Sequence, residues 1–141
     1  MSEIRRFAKE YLFLSNYYEA PVNYHGFTYG SSEAAYQAQK SGEYELFAEL
    51  RPHQSKTAAR ELPVREDWDD VKVSIMEEIV RAKFTQNPEL AELLISTGDA
   101  LLLEGNGWHD TYWGIDDKTG EGENNLGKIL MKIRDELKSP A

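Results

Sequence analysis

The helix that organises this chain is predicted at residues 31–40, which read Ser-Ser-Glu-Ala-Ala-Tyr-Gln-Ala-Gln-Lys. Gly30 and two serines precede a run of good helix formers, the usual pattern of a helix N-terminus. With Ser31 or Ser32 as the capping residue, Glu33 falls in the first turn, beside free N–H groups and the positive end of the helix dipole. The spacing leaves two interpretations open: a carboxylate that suits the dipole, or an ionised group held as a general base or electrostatic stabiliser.

The composition is typical of a soluble globular protein. With 141 residues, we predict a single domain over residues 1–141, its core at about 10–138. No apolar run approaches the ~20 residues that span a bilayer, and the polar start lacks a signal peptide's apolar segment, so no membrane partner is expected. Because the chain has no cysteines, it lacks disulfides and thiolate zinc sites, and the predicted location is a reducing compartment, the cytoplasm.

The net charge of −9 is unevenly distributed along the chain. Residues 51–83 hold 7 basic and 7 acidic side chains, whereas acidic residues dominate on both sides of this segment. A negative field opposes nonspecific binding to nucleic-acid backbones. A phosphate contact is therefore predicted within residues 51–83.

Hydrophobic spacing predicts an α+β fold that is mainly helical, with a small antiparallel sheet. A hairpin is expected with its turn at His25-Gly26, and two apolar runs, Tyr11–Leu14 and Leu101–Leu103, are interpreted as buried strands. Besides the helix at 31–40, the pattern predicts helices at about 43–50, 55–61, 69–87, 88–97 and 124–137. The clearest is 69–87, and Asn124 or Asn125 is the expected cap of the last one.

Residues 105–123 contain five glycines and show no helical or strand periodicity. Long loops of this kind are usually functional or disordered, and the aromatic residues in this one favour order. Tyr112 and Trp113 are interpreted either as packing groups or as flat faces for stacking on a nucleobase. Asp110 is either a turn-forming aspartate or a second catalytic carboxylate.

Two cations are candidate ligand contacts. Lys83 lies on the same helical row as Ile75 and Ile79, so it is either a lysine with a covered stem and a solvated head, or a cation that binds a phosphate or a sugar hydroxyl in a pocket. Arg60, next to Glu61, is either solvated or a substrate contact. The three histidines share no metal-ligand spacing, so no metal site is predicted, and no phosphate-binding glycine loop or nucleophile elbow occurs.

Six motifs occur in order along the chain: Leu14–Tyr17, Ser31–Glu33 with Gln37–Lys40, Leu62–Trp68, Arg81–Phe84, Asp110–Gly114 and Asn125–Met131. Through these motifs the sequence resembles the NADAR, or YbiA-like, family over nearly its whole length. The family usually has a histidine and aromatic residues directly after the glutamate, where this chain has Ala34, Ala35 and then Tyr36.

The resemblance implies an N-glycosidase, a hydrolase that cleaves the bond between a ribose and a base through an oxocarbenium-like sugar cation. It implies that Glu33 supplies negative charge and activates water, with Asp110 as a second catalytic candidate. Stacking, amide and cationic contacts to the substrate are implied at Asn16, Tyr36, Arg60, Lys83, Tyr112 and Trp113. No metal or organic cofactor is implied.

Two substrate classes are compatible with the resemblance. One is the small phosphorylated ribosylaminopyrimidines of riboflavin biosynthesis, and the other is ADP-ribose attached to guanine in DNA. The net charge of −9 favours the smaller substrate. The alternatives from other classes are a module that binds ADP-ribose or NAD-like ligands without cleaving them, and a plain interaction domain.

Overall fold

The computed structural model describes residues 2–139, so residues 1, 140 and 141 of the predicted domain lie outside the described part. Its helices are α1 (Ser32–Ser41), α2 (Tyr44–Ala48), α3 (Pro52–Ala59), α4 (Trp68–Gln86), α5 (Pro88–Ser96) and α6 (Asn125–Lys138). Its strands are β1 (Glu3–Ile4), β2 (Glu19–Tyr24), β3 (Phe27–Ser31), β4 (Leu101–Leu102), β5 (Gly105–Asn106) and β6 (Ile115–Asp116). The predicted class, a mainly helical α+β fold with a small antiparallel sheet, is confirmed.

The chain divides into two units, residues 16–88 and residues 2–15 with 89–139. The prediction that the whole chain is a single domain stays a prediction. Among residues 2–139, no helix is long and apolar enough to cross a membrane.

Within residues 16–88, the hairpin β2–β3 delivers the chain into α1. The turn lies at His25 and Gly26, as predicted, and both residues have positive φ values, 49° and 90°, which suits the right-handed twist of the two strands. Alternate residues of β2 are buried, namely Ala20, Val22 and Tyr24. The hairpin therefore presents one face to the core and fixes where α1 begins.

Helix α1 is the centre of this unit and packs against α2, α3, α4 and both strands of the hairpin. Every residue from Ser32 to Gln39 is buried, because small side chains such as Ala34 and Ala38 let neighbouring elements approach on all sides. Ser31 is the N-cap, and its hydroxyl accepts a hydrogen bond from the Ala34 N–H at 3.1 Å. The predicted start of this helix is confirmed.

Helix α4 lies across β2 and α1. Its buried stripe consists of Met76, Ile79, Val80 and Phe84, with Lys83 among them. Val71 and Ile75, which the spacing also places on this face, are only half-buried. The helix therefore carries a lysine into the hydrophobic interior.

In the other unit, the prediction of a strand at Tyr11–Leu14 is wrong, since Lys9–Leu14 is a 3-10 helix. Phe13 and Leu14 are buried, but a four-residue apolar run does not distinguish a strand from a helical turn. The strand at Leu101–Leu102 is confirmed, and its parallel partner is β1, with Glu3 opposite Leu101. Helix α6 packs on β4 through a stripe that includes Leu126, Ile129, Leu130 and Ile133.

Residues 105–123, where the lack of periodicity predicts no strands, contain the short parallel pair β5–β6. Asn124 occupies the N-cap position of α6 with a φ of 53°, but its side chain does not cap the helix. Its amide instead accepts from the Glu104 N–H at 3.0 Å and donates to the Leu102 carbonyl at 2.9 Å. The expected cap thus ties the start of α6 to the chain beside β4.

Candidate active site

Glu33 lies in the first turn of α1, where the hairpin ends, as predicted. Its side chain is buried, with 8% of the residue exposed. The Gln37 Nε2 donates a hydrogen bond to Glu33 Oε2 at 2.7 Å, and the Glu33 backbone N–H donates to the Asn16 carbonyl at 3.1 Å. A buried carboxylate needs such partners, and the rigid helix end fixes its position.

The environment of Glu33 acts on its protonation in two directions. Burial is the larger effect and raises the pKa of the Glu33 carboxyl above its ordinary value. The hydrogen bond from Gln37, and then the charges of Lys56 and Lys40, oppose this rise. A carboxylate with a raised pKa is a stronger base than an ordinary glutamate, so it is better suited to accept a proton from water.

Asn16 adjoins Glu33 through the backbone and through Ser32. The Ser32 hydroxyl donates to Asn16 Oδ1 at 2.8 Å, and Asn16 Nδ2 lies 3.5 Å from Met76 Sδ. The amide oxygen therefore helps to hold the start of α1, while the partner of the amide nitrogen within residues 2–139 is a weak sulfur acceptor. A ligand contact by Asn16 stays a prediction, and Nδ2 is the atom available for it.

Tyr17, which sequence reasoning did not assign to the site, lies within the electrostatic reach of Glu33. Burial, and next the Glu33 charge, raise the pKa of the Tyr17 hydroxyl to about 12, while Arg60 lowers it. Lys56 Nζ is 5.9 Å from the centre of the Tyr17 ring. Tyr17 is 39% exposed, so a group at the surface of this unit interacts electrostatically with the buried carboxylate.

Three cations accompany this carboxylate: Lys40 at the end of α1, Lys56 in α3, and Arg60 just after α3. The charges of Lys40 and Lys56 act on Glu33, and that of Arg60 acts on Tyr17. Lys56 and Arg60 are exposed and belong to the segment 51–83, where charge balance predicts a phosphate contact. Only Arg60 was assigned from the sequence. The effect of Lys56 depends on how α3 packs on α1, whereas Lys40 lies on the same helix as Glu33.

Tyr36 is buried against Trp68, with ring centres 5.0 Å apart and the rings tilted by 53°. This contact is of the aromatic packing type. The predicted contact between Tyr36 and a substrate base is a separate role, and it stays a prediction.

Lys83 is almost completely buried, with 1% of the residue exposed. Its Nζ lies 5.7 Å from the centre of the Tyr18 ring and 5.1 Å from that of Phe84. Burial lowers the pKa of the Lys83 amine to about 7. The interpretation as a lysine with a solvated head is therefore wrong, since the head lies in the interior, and a pocket cation remains the prediction.

The loop candidates lie in the unit formed by residues 2–15 and 89–139. Asp110 Oδ1 accepts from the backbone N–H groups of Tyr112 and Trp113, at 3.0 and 2.9 Å. The Tyr112 and Trp113 rings meet edge-on with centres 5.0 Å apart, and both residues are half-buried. Asp110 thus has a turn-forming role, and catalysis by Asp110 and stacking by these rings stay predictions.

Potential metal ligands are dispersed in the described structure. Among residues 2–139, no group of three or more His, Asp or Glu side chains is placed to hold a metal ion. His109 in the glycine-rich loop is hydrogen-bonded through Nδ1 to the buried Asp116. His25 stacks on the ring of Tyr24, with the ring centres 4.0 Å apart.

The profile of the NADAR domain family matches residues 4–138. The chain belongs to the NADAR family. The N-glycosidase YbiA of Escherichia coli is 38% identical over 129 residues, which cover 87% of this NADAR chain and 79% of YbiA. A riboflavin biosynthesis protein of Vibrio vulnificus is 39% identical over 135 residues. That alignment covers 92% of this chain but 36% of the Vibrio protein, so the chain spans about a third of that relative.

The NADAR fold is also found in a solved structure. The NMR structure of the Escherichia coli protein YbiA matches this chain with a TM-score of 0.86 and 33% identity, covering 97% of this chain and 85% of YbiA. The resemblance given by the six motifs is therefore confirmed. Gln37 and Tyr17 lie inside two of those motifs, so motif membership is the sequence signal that could have pointed to them. In the structure, both interact with Glu33.

Proposed function

We propose that this NADAR protein is an N-glycosidase that hydrolyses the bond between ribose and base in a small phosphorylated ribosylaminopyrimidine. The observation that carries the proposal is Glu33, a buried carboxylate fixed at a helix start by Gln37 and accompanied by cations. Relatives support the reaction and the substrate class: one is named an N-glycosidase, and others are named riboflavin biosynthesis proteins.

The proposed reaction places positive charge on the sugar as the bond to the base lengthens. A carboxylate near the anomeric carbon stabilises that charge, and it also takes a proton from the attacking water. Glu33 Oε2 is held by Gln37, so we assign Oε1 to the water. The water oxygen bonds to the anomeric carbon and the bond to the base nitrogen breaks. The proton that Glu33 took from the water passes to that nitrogen, which regenerates the carboxylate.

The substrate phosphate is proposed to bind at Lys56 and Arg60. Both side chains are exposed, so they balance a dianion without a large desolvation cost. Lys83, with a pKa of about 7, is only partly charged at neutral pH. It remains a proposed interior contact, suited to a sugar hydroxyl as well as to a phosphate.

The direct test is to incubate the protein with a ribosylaminopyrimidine 5′-phosphate and to separate the products by chromatography. Release of free base together with ribose 5-phosphate supports the proposal. Binding without release would instead indicate a module that recognises the nucleotide, and no binding at all would indicate an interaction domain.

Salt dependence is expected to be weak, which separates the two substrate classes. A substrate held through one or two phosphates should lose at most about tenfold in kcat/KM between about 50 and 200 mM salt, whereas contact with many DNA phosphates loses ~10³–10⁵ in affinity. The measurement is kcat/KM against salt for the small phosphate and for ADP-ribosylated DNA. Steep dependence with DNA, or binding to unmodified DNA at physiological salt, would contradict the small-substrate proposal.

Catalysis is expected to survive exhaustive chelation. The chain has no cysteines, and residues 2–139 bring no three potential ligands together at a metal-binding geometry. Turnover is to be measured before and after dialysis against EDTA, then with zinc or magnesium added back. Activity that disappears with EDTA and returns with either metal would show that the reaction uses a metal.

A further inference from the structure

The Gln37 side chain lies beside Glu33, one helical turn further along α1. Its Nε2 donates to Glu33 Oε2 at 2.7 Å. Its Oε1 is buried and has no hydrogen-bond partner among residues 2–139. Gln37 as a whole is 8% exposed, so this oxygen belongs to a side chain that is more than nine-tenths buried.

The orientation of this amide follows from chemistry. An ionised carboxylate only accepts hydrogen bonds, so the NH₂ group of Gln37 must face Glu33 and the oxygen must point away. The amide is also held in place, since α2, α3 and α4 pack around α1. Gln37 therefore presents a fixed acceptor next to the catalytic carboxylate.

A buried acceptor with no hydrogen-bond partner is uncommon in folded proteins. It indicates that a ligand or an ordered water supplies the donor. In the proposed reaction the ligand brings ribose hydroxyls, which are donors. The hydroxyl nearest to a carboxylate at the anomeric carbon is the 2-hydroxyl, on the adjacent carbon. Hydrogen bonds to this hydroxyl strengthen in the transition state of glycoside hydrolysis.

We propose that Gln37 is a substrate-binding and positioning residue: Oε1 accepts a hydrogen bond from the ribose 2-hydroxyl, while Nε2 holds Glu33 for reaction. The inference rests on the proposed function and deepens it, because it assigns part of the specificity for ribose over 2-deoxyribose. These two contacts also account for the burial of the Gln37 amide within a tightly packed helix.

The test compares the ribosyl substrate with its 2-deoxyribosyl analogue in wild type and in Gln37→Met. Methionine keeps the unbranched shape but has neither the amide donor nor the amide oxygen. The wild-type preference in kcat/KM for the ribosyl substrate, relative to its analogue, should fall about 10–100-fold in the variant. The matched control is Gln39→Met, which removes a buried glutamine of the same helix that contacts Tyr29 and not Glu33. That control should keep the wild-type preference.

The positioning role has its own readout in the pH profile of kcat. Loss of the Gln37 donor removes a contact that lowers the Glu33 pKa, so the acidic limb should move to higher pH in Gln37→Met. Lys40, Lys56 and Tyr17, the other groups that interact with Glu33, are unchanged in both variants. An unmoved limb would overturn the positioning role.

If Gln37→Met shows the same preference for the ribosyl substrate over its 2-deoxyribosyl analogue as wild type does, the 2-hydroxyl contact is overturned and a water is the partner of Oε1. A binding measurement makes the test of the ribose contact independent of turnover. The Kd values for ribose 5-phosphate and 2-deoxyribose 5-phosphate, measured by calorimetry, should differ in wild type and converge in Gln37→Met. If no base is released but the Kd values follow this pattern, the proposed hydrolysis fails and the ribose contact stands.

Discussion

Glu33→Gln is expected to lower turnover at least about 10³-fold, because it removes both a general base, worth ~10²–10⁴-fold, and a charge at the reacting carbon, worth ~10²–10³-fold. Folding should be preserved, because glutamine has nearly the same shape and its side-chain oxygen can accept from Gln37. Replacing a buried carboxylate with a neutral amide removes a desolvation cost, so the melting temperature should be unchanged or higher.

The measurement is kcat with a ribosylaminopyrimidine 5′-phosphate, paired with thermal unfolding of the same samples. The control is Glu78→Gln, a glutamate of α4 that accepts from the Tyr24 hydroxyl at 2.5 Å, and it should keep wild-type turnover. If Glu33→Gln keeps more than a few per cent of activity, Glu33 has no catalytic role and is only a carboxylate that suits the helix dipole. In wild type, the raised pKa of Glu33 predicts that activity falls on acidification at a higher pH than for an ordinary glutamate.

Lys83→Met is expected to stabilise the protein at pH 6 and to lose this advantage at pH 10. The folded chain binds the Lys83 proton with a pKa of about 7, against an ordinary value of 10.5. Between these values the unfolded chain holds more protons, so the stability of wild type rises with pH across this window. The difference corresponds to ~5 kcal/mol, which sets the upper end of the gain at pH 6 from removing the amine.

Urea unfolding of wild type and variant at pH 6 and pH 10 tests this prediction, because other titrating groups are common to both proteins. Lys72→Met on the same helix is the control, since Lys72 reaches solvent and pairs with Asp69 at 3.1 Å. It should change the free energy of unfolding by a similar small amount at both pH values. A Lys83→Met variant that is less stable than wild type at pH 6 would show that the buried amine is held by strongly compensating contacts.

Local signals in the sequence predicted much of the fold. The turn at His25-Gly26, the serine cap of α1 and the long α4 each depend on residues close together in the chain. The parallel pairing of β1 with β4 was not predictable, because it joins Glu3 to Leu101 across most of the chain and neither strand exceeds two residues. Asn124 shows a further limit: its residue type predicts a cap, but its amide bonds to the backbone near β4 instead.

The site was only partly predictable for a similar reason. Glu33 followed from a short motif, and its first-turn position from the helix start. Lys40 acts on Glu33 from the same helix, but Lys56 acts on it from α3 and Arg60 acts on Tyr17, so these two charges reach the site only after the helices pack. The burial of Lys83 likewise depends on tertiary packing, since helical spacing placed it at the border of the apolar stripe.

The burial of Ser32 to Gln39 in α1 restricts how this protein can diverge. A helix normally has an exposed face where substitutions accumulate freely, but Ser32 to Gln39 offer none. Ala34 and Ala35 are fully buried within this stretch. A larger side chain at either position requires matching changes in the elements packed on α1, because exchanges at touching positions are not independent. Single exchanges along this helix therefore have little room to be neutral, and we expect tolerated changes to occur as coupled sets.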